Sequence, residues 1–247
     1  MLCRRGVTAF AAVLCVSCTV AVDERTMAEP ARNGLLDGDE EEETKCADGD
    51  GQSPIDLPLR IARSTLPALK FDYQESHVAI TNTGHSVQYS YDPGSTLWVG
   101  EDPYELVQFH FHAHSEHSLG GFLTPLELHL VHKNEAEKLL VVGALVVPGW
   151  HNEVFDAADW PELPSEEAGT VDFPDDNFNA RDLVPGGPTY RYTGSLTAPP
   201  CSNDVSWIVY RRPLVMSSEQ IATFTDLYPN NYREVQSLGD RELLFGK

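Results

Sequence analysis

The chain is poor in basic residues. Among its 247 residues, 17 are Lys or Arg and 38 are Asp or Glu, so the formal net charge is −21 at pH 7. A surface with that excess of negative charge repels nucleic-acid phosphates and anionic lipid head groups. The composition therefore argues against a nucleic-acid-binding or membrane-surface protein.

The chain also lacks an apolar run long enough to cross a bilayer comfortably. Its longest apolar stretch, Val7 to Val22, follows Arg4 and Arg5. A positive start followed by a short apolar segment is typical of a secretory signal. We predict a signal peptide over residues 1–21, with no membrane insertion after its removal. The protein is then secreted, periplasmic or held in a secretory-pathway compartment; a retained membrane anchor is the alternative.

Residues 22–45 contain no aromatic residue and end in the acidic run Asp39 to Glu43. Such a composition cannot bury enough apolar surface to fold and indicates a disordered linker or pro-segment. We predict one folded domain over residues 46–247, a length that suits a single β-rich domain.

Cysteine is scarce outside the predicted signal. Cys3, Cys15 and Cys18 fall inside it, which leaves Cys46 and Cys201. Two remaining cysteines in an exported protein form a natural disulfide pair. Two unrelated free thiols remain the alternative.

Short apolar stretches separated by turn residues predict a mainly β domain without internal repeats. Helices are predicted at Asn152–Ala158 and Ser217–Leu227, with Ser217 or Ser218 as cap. The Pro-, Gly- and Asp-rich segment Trp160–Pro188 is predicted to be a surface loop. The predicted strands are Val78–Ile80, Val87–Tyr91, Leu106–His112, Leu126–His132, Leu139–Val147 and Trp207–Tyr210.

Histidines cluster in the predicted strand that ends at His112. Alternation along a strand places His110 and His112 on one face and Phe109 and Phe111 on the other. A third imidazole is available from the next strand, where His129 shares a face with Glu127. Three neutral imidazoles with one open position form a catalytic zinc site, for which carbonic anhydrase is a standard example.

Gln108 and Glu127 each lie two residues before one of these histidines, on the same face. Both side chains are placed to accept the spare N–H of a metal-bound imidazole. A second interpretation remains open, because His110-x-His112 followed by Glu116 is similar to the first metal motif of cupins. Glu116 would then be a ligand to iron or manganese. The second cupin motif has only a misspaced counterpart near residues 143–151.

A segment further along the chain favours zinc chemistry. The sequence from Tyr192 to Cys201, YTGSLTAPPC, closely resembles the signature loop of alpha carbonic anhydrases. The resemblance covers about residues 46–241 and implies a single domain built on a large, mostly antiparallel twisted sheet with a few short peripheral helices. Its other motifs are Gln52–Ile55, Gln108–His112, Glu116–His117, Glu127–His132, Val205–Val209 and Ser217–Gln220.

The resemblance implies reversible hydration of carbon dioxide to bicarbonate and a proton by hydroxide generated at a Zn²⁺ ion. It identifies His110, His112 and His129 as zinc ligands and His85 as the proton shuttle. Thr197 is expected to donate a hydrogen bond to Glu116 and to accept one from the hydroxide. The apolar wall for carbon dioxide, completed by Thr197, is expected to consist of Val131, Val141, Leu196, Val205 and Trp207.

Two alternatives remain beside the enzyme. A catalytically silent relative of the family would serve as a binding domain; such relatives typically lack one or more zinc histidines, whereas all three are present here. The cupin-type metalloenzyme is the other. Tetrahedral imidazole sites accept several divalent ions, so the sequence also leaves cobalt or cadmium open as the metal.

Overall fold

Strands carry most of the structure, a computed structural model that describes residues 46, 49–165 and 167–247, without the side chain of Asp176. The predicted signal peptide and linker lie outside the described residues. The strands within them are β1 (Asp56–Leu57), β2 (Leu69–Asp72), β3 (Ser76–Asn82), β4 (Val87–Ser90), β5 (Thr96–Val99), β6 (Asp102–His112), β7 (Ser118–Leu119), β8 (Leu126–Lys133), β9 (Leu139–Pro148), β10 (Thr170–Phe178), β11 (Thr189–Ser195), β12 (Asn203–Met216) and β13 (Leu244–Gly246).

Eleven of the described strands form one sheet, with the order β10-β3-β4-β6-β8-β9-β12-β11-β13. Strand β5 pairs with the first half of β6 and carries β2 on its other side. Neighbouring strands are antiparallel except β9 and β12, which run parallel. The small pair β1–β7 is separate and parallel. The predicted mainly β fold with a large, mostly antiparallel sheet is therefore confirmed.

Alternation along the central strands gives the sheet two different faces. In β8, Leu126, Leu128 and Leu130 are fully buried in the larger apolar cluster, where Phe109 and Phe111 of β6 also lie. Each fully buried leucine or phenylalanine stabilises the fold by roughly 1.5–3 kcal/mol. The intervening residues, His110 and His112 of β6 and His129 of β8 among them, point to the opposite face and are held there by this packing. His132 lies on the face of the leucines, where it forms a hydrogen bond with Tyr73.

Two expectations about the connecting segments are wrong. The helix predicted at Asn152–Ala158 is absent, and residues 153–159 form consecutive turns. The backbone N–H groups of this segment donate to carbonyls three, four or five residues earlier, whereas an α-helix has a constant spacing of four. The segment Trp160–Pro188 is not one loop. It contains β10, which extends the sheet by pairing with β3, and two 3₁₀ helices at Trp160–Glu162 and Ala180–Leu183.

The second predicted helix forms, although it is shorter than expected. Helix α1 (Ser218–Thr225) begins with a capping box, in which Ser217 Oγ accepts from the Gln220 backbone N–H and Gln220 accepts from the Ser217 N–H. This reciprocal pair satisfies two N–H groups that a helix start leaves unpaired.

Among the described residues, no helix combines the length and apolar character needed to cross a membrane.

The structure joins Cys46 to Cys201 in a disulfide, as predicted. The bond closes a loop between residues 155 positions apart. It attaches the start of the described chain to the segment that follows Thr197, and a crosslink over so long a loop stabilises a fold mainly by restricting the unfolded chain.

Candidate metal centre

Three histidine rings converge on the polar face of the sheet. The antiparallel register of β6 and β8 places His110 directly opposite His129, and His112 lies two residues further on the same face. The ring centroids are 5.0 Å apart for His110–His112, 5.3 Å for His110–His129 and 4.8 Å for His112–His129. One ring nitrogen from each lies within 4.8 Å of the others. The three rings can therefore share one metal ion.

The remaining nitrogen of the first two rings is held by a hydrogen bond. Nδ1 of His110 donates to Oε1 of Gln108 at 2.8 Å, and Nδ1 of His112 donates to the Asn231 carbonyl at 2.8 Å. These bonds fix the tautomer and leave Nε2 as the free lone pair on each ring. Nε2 of His112 is buried and has no hydrogen-bond partner among the described residues. An orphaned imidazole nitrogen of this kind fits a metal ion.

The third ring is oriented by Glu127. Nε2 of His129 lies 3.1 Å from Oε1 of Glu127, so the carboxylate faces this edge of the ring. Gly143 of β9 lies directly opposite His129 in the sheet. A Cβ at Gly143 would stand 3.0 Å from Oε1 of Glu127, so the absence of a side chain there makes room for the carboxylate.

The charge states suit metal binding. Burial lowers the pKa of His110 well below its usual value, and the neighbouring His112 and His129 lower it further. Burial is also the main reason that the pKa of His112 is lowered. For His129, burial acts in the same direction, but the Glu127 carboxylate outweighs it and raises the pKa. Two rings thus favour the neutral form that binds a metal, and the third is made more basic by a carboxylate, which strengthens a ligand.

Glu127 is the centre of a buried network. Its Oε2 accepts from the backbone N–H groups of Glu116 at 2.9 Å and His117 at 2.7 Å, and its Oε1 accepts from Nδ1 of His117 at 2.8 Å. The Tyr192 hydroxyl in turn donates to Nε2 of His117 at 2.7 Å. Because both nitrogens of His117 are engaged, the second group of close ligand atoms, His117, Glu127 and His129, is explained by hydrogen bonds instead of a metal.

The structure places Glu116 beside the centre but does not join it to Thr197. Glu116 is 1% exposed, and its Oε1 accepts from the Arg233 backbone N–H at 2.9 Å. Its Oε2 is buried without a hydrogen-bond partner within the described part of the chain. Thr197 is half-buried, and none of the hydrogen bonds between described residues links its hydroxyl to Glu116.

An apolar cluster borders the histidines on the side of β9 and β12. In the sheet, Val131 of β8 lies opposite Val141 of β9, which in turn lies opposite Trp207 of β12. The Trp207 ring is 4.9 Å from the His129 ring. The structure thus brings together all five predicted apolar wall residues, which share one cluster: Val131, Val141, Leu196, Val205 and Trp207.

Two exposed histidines lie near the end of β6. His85 is in the turn between β3 and β4, and its carbonyl accepts from Nδ2 of Asn231 at 2.8 Å. His114 follows the end of β6 in a bend, with its ring against Tyr232 at 5.7 Å.

Sequence reasoning assigned no role to Asn231 or Arg233. Asn231 contacts both His112 and the His85 turn, and Arg233 contacts Glu116. Both lie in an irregular segment without a motif. Only the tertiary structure brings them to the site, so no local signal could have identified them.

Comparison with known proteins agrees with this geometry. A family model described as eukaryotic-type carbonic anhydrase matches residues 39–246. A carbonic anhydrase from Nostoc is 37% identical over 79% of this chain and 76% of its own. A solved hyperthermostable carbonic anhydrase from a hydrothermal vent chimney is 39% identical, with a TM-score of 0.75 over 81% of this chain and 89% of its own. The Photobacterium profundum alpha-carbonic anhydrase is 34% identical, with a TM-score of 0.76 over 83% of this chain and 93% of its own. The chain therefore belongs to the eukaryotic-type, or alpha, carbonic anhydrase family of enzymes, which hydrate carbon dioxide.

Proposed function

We propose that His110, His112 and His129 hold a Zn²⁺ ion at which the protein interconverts carbon dioxide and bicarbonate. The observation that carries the proposal is the buried Nε2 of His112, which lacks a partner at the point where the three rings converge. A zinc ion with three imidazole ligands supplies a Lewis acid that brings the pKa of water to about 7. The family consists of zinc enzymes in general, in agreement with this donor set.

Within this proposal, Thr197 and Glu116 orient the nucleophile. Oε2 of Glu116 is buried 3.8 Å from Nδ1 of His129 and has no hydrogen-bond partner among the described residues, so it is available as an acceptor. A Thr197 hydroxyl that donates to Oε2 has only its acceptor lone pairs left. Its oxygen would then accept from the attacking hydroxide and direct the hydroxide lone pair at the substrate carbon.

The apolar cluster is the proposed seat of carbon dioxide. Val141, Val205 and Trp207 are each no more than 2% exposed, and Trp207 packs on the His129 ring. A nonpolar substrate gains from leaving water for such a surface. Bicarbonate is charged and gains nothing there, so the same surface favours product release.

Chelation of the metal tests the proposed activity. We expect the purified domain, residues 46–247, to hydrate carbon dioxide rapidly in stopped flow, to lose this activity on removal of the metal, and to regain it with one equivalent of zinc. Restoration by iron or manganese but not by zinc would contradict zinc as the metal. One bound zinc without hydration would indicate a catalytically silent relative.

His85 is the proposed proton shuttle, since it is exposed and its turn is bonded to Asn231, the residue that also contacts the metal ligand His112. An imidazole whose pKa is near neutrality can both take and release the proton of the catalytic water. We expect His85→Ala to slow turnover by about tenfold or more in dilute buffer, with partial rescue by added imidazole. His114→Ala is the matched control; an equal loss in that variant, or no buffer dependence in either, would contradict the assignment.

We also propose that residues 1–21 direct export, that residues 22–45 form an acidic linker, and that residues 46–247 are the catalytic domain. The disulfide between Cys46 and Cys201 supports an oxidising compartment, because such bonds are rare in the cytosol. Mass spectrometry of the mature N-terminus after expression with the full leader tests the cleavage after Ala21.

A further inference from the structure

We propose that the side chain of Asn231 is a positioning residue, which holds the His85 turn at a fixed distance from the metal-ligand strand and thereby sets the rate of proton transfer. The inference rests on the proposed shuttle role of His85. It assigns to Asn231 a part in the reaction that acts through His85 and not through the metal.

The side chain of Asn231 bridges two segments that are remote in sequence. Its Nδ2 donates to the His85 carbonyl at 2.8 Å and, more weakly, to the Phe111 carbonyl at 3.4 Å. Its Oδ1 accepts from the Ala113 backbone N–H at 2.8 Å. One amide group thus connects the shuttle turn to the last residues of β6, on both sides of the ligand His112.

The main chain of Asn231 has a different task. Its carbonyl accepts from Nδ1 of His112 at 2.8 Å, and its N–H donates to the Ala113 carbonyl at 2.8 Å. The first bond orients the metal ligand, and both bonds remain when the side chain is replaced by alanine or aspartate. The side chain adds the bond to the His85 carbonyl, so its contribution can be measured apart from that of the main chain.

The His85 turn is closed by bonds between Thr83 and Ser86: the Thr83 N–H and Oγ1 both donate to the Ser86 carbonyl at 2.9 Å, and the Ser86 N–H donates to Thr83 Oγ1 at 3.1 Å. His85, at the tip, is held less tightly. Thr83 and His85 are exposed, Gly84 has φ +81°, and the His85 N–H makes only a 3.4 Å bond to Thr83 Oγ1. On the β3 side, the Gly84 N–H donates to Asn82 Oδ1 at 2.9 Å. On the β6 side, Ser86 Oγ donates to the Phe111 carbonyl. The bond from Asn231 is the hydrogen bond that links the His85 main chain itself to a segment outside the turn within the described residues.

The rate of proton transfer depends on the position of the relay imidazole, so it is sensitive to movement of the His85 turn. A relay imidazole must lie within hydrogen-bond reach of the water chain that it serves, and a displacement of about 1 Å can cost much of the rate. Loss of the Asn231 side chain removes the donor to the His85 carbonyl and the acceptor for the Ala113 N–H, but keeps the main-chain bond to His112. The expected consequence is slower proton release with a smaller effect on the chemistry at the metal.

The rate of proton release and the rate of the chemistry at the metal can be measured separately, which distinguishes a positioning role for Asn231 from a role at the metal. We expect Asn231→Ala to slow proton release, measured as hydration at saturating carbon dioxide in dilute buffer, by about threefold to tenfold. Isotope exchange between carbon dioxide and bicarbonate at chemical equilibrium, which reports the chemistry at the metal, should fall by a smaller factor than proton release, because the main-chain bond to His112 remains. In a His85→Ala background, Asn231→Ala should have no further effect. If Asn231→Ala is poorly folded, Asn231→Asp replaces it, since it keeps the acceptor for Ala113 and loses the donor to His85.

Failure of the positioning role of Asn231 can be distinguished from failure of the shuttle role of His85. If His85→Ala slows proton release and the Asn231 variant does not, or if both rates fall by the same factor, the positioning role is wrong and the shuttle stands. If His85→Ala is as fast as the unchanged protein, the shuttle proposal fails and this inference falls with it.

A measurement without metal tests the restraint directly. In the metal-free protein, we expect Asn231→Ala to raise hydrogen–deuterium exchange in residues 83–87 and to leave β8 and β9 unchanged. Asn152→Ala is the matched control, because Asn152 also bridges two segments through its side chain, at Val215 and Val154 far along the sheet from the histidines. Exchange in residues 83–87 that does not change in Asn231→Ala, or that rises equally in the control, would overturn the inference.

Discussion

Replacement of His129 by alanine is expected to abolish tight metal binding and to lower carbon dioxide hydration by several orders of magnitude. His129 faces His110 across the sheet, and its ring closes the triangle of imidazoles. Two rings of one strand remain in the variant, and a catalytic zinc site uses three protein ligands. Metal content by mass spectrometry and stopped-flow hydration measure the two losses.

The control for this variant is His151→Ala. His151 is exposed and pairs with Asp156 at the surface, outside the metal centre. Its loss should leave metal content and hydration unchanged. Retention of one zinc per chain with full activity in His129→Ala would refute the ligand assignment. Retention of fold is checked by the far-ultraviolet spectrum, since the apolar residues that flank position 129 remain buried in the larger core.

Much of the fold could be predicted from residue alternation. In β6 and β8, alternate residues are buried phenylalanines or leucines, and strand geometry alone sends the intervening histidines to the other face. Local sequence wrongly predicted a helix at residues 153–159, because helical composition does not specify which carbonyl each N–H reaches. Local sequence also failed to predict β10, whose polar sequence becomes a strand only by pairing with β3.

Some contacts of the candidate site could likewise be predicted from local sequence, and others could not. Gln108 and His110 lie two residues apart on one strand, so their 2.8 Å contact follows from local geometry. The contacts of Asn231 with His112 and His85 cross 119 and 146 positions of sequence. No periodicity encodes such a distance. Tertiary packing alone determines which loop reaches the ligand, and the residues found only in the structure are of this kind.

Replacement of Glu127 is the second change for which we expect a large effect. Its carboxylate is fully buried and accepts from two backbone N–H groups and from the His117 ring, beside His129. Glu127→Ala removes the acceptor and leaves these donors in an environment closed to water. Breaking a buried charged network in this way costs about 3–5 kcal/mol of the free energy of unfolding, measured by denaturant titration of the metal-free protein.

Glu127→Gln separates stability from the effect on the metal. The amide retains one oxygen acceptor but turns an N–H₂ group toward donors, so the His129 ring loses the carboxylate that raises its basicity. Loss of such a supporting partner typically weakens metal affinity about 10–100-fold, seen as faster transfer of zinc to a chelator. Glu105→Gln, an exposed glutamate of the same sheet, is the control and should change neither quantity. If Glu127→Gln held zinc as tightly as the unchanged protein, the carboxylate would serve the fold alone, and the orientation of His129 would have to come from the Trp207 ring packed on it.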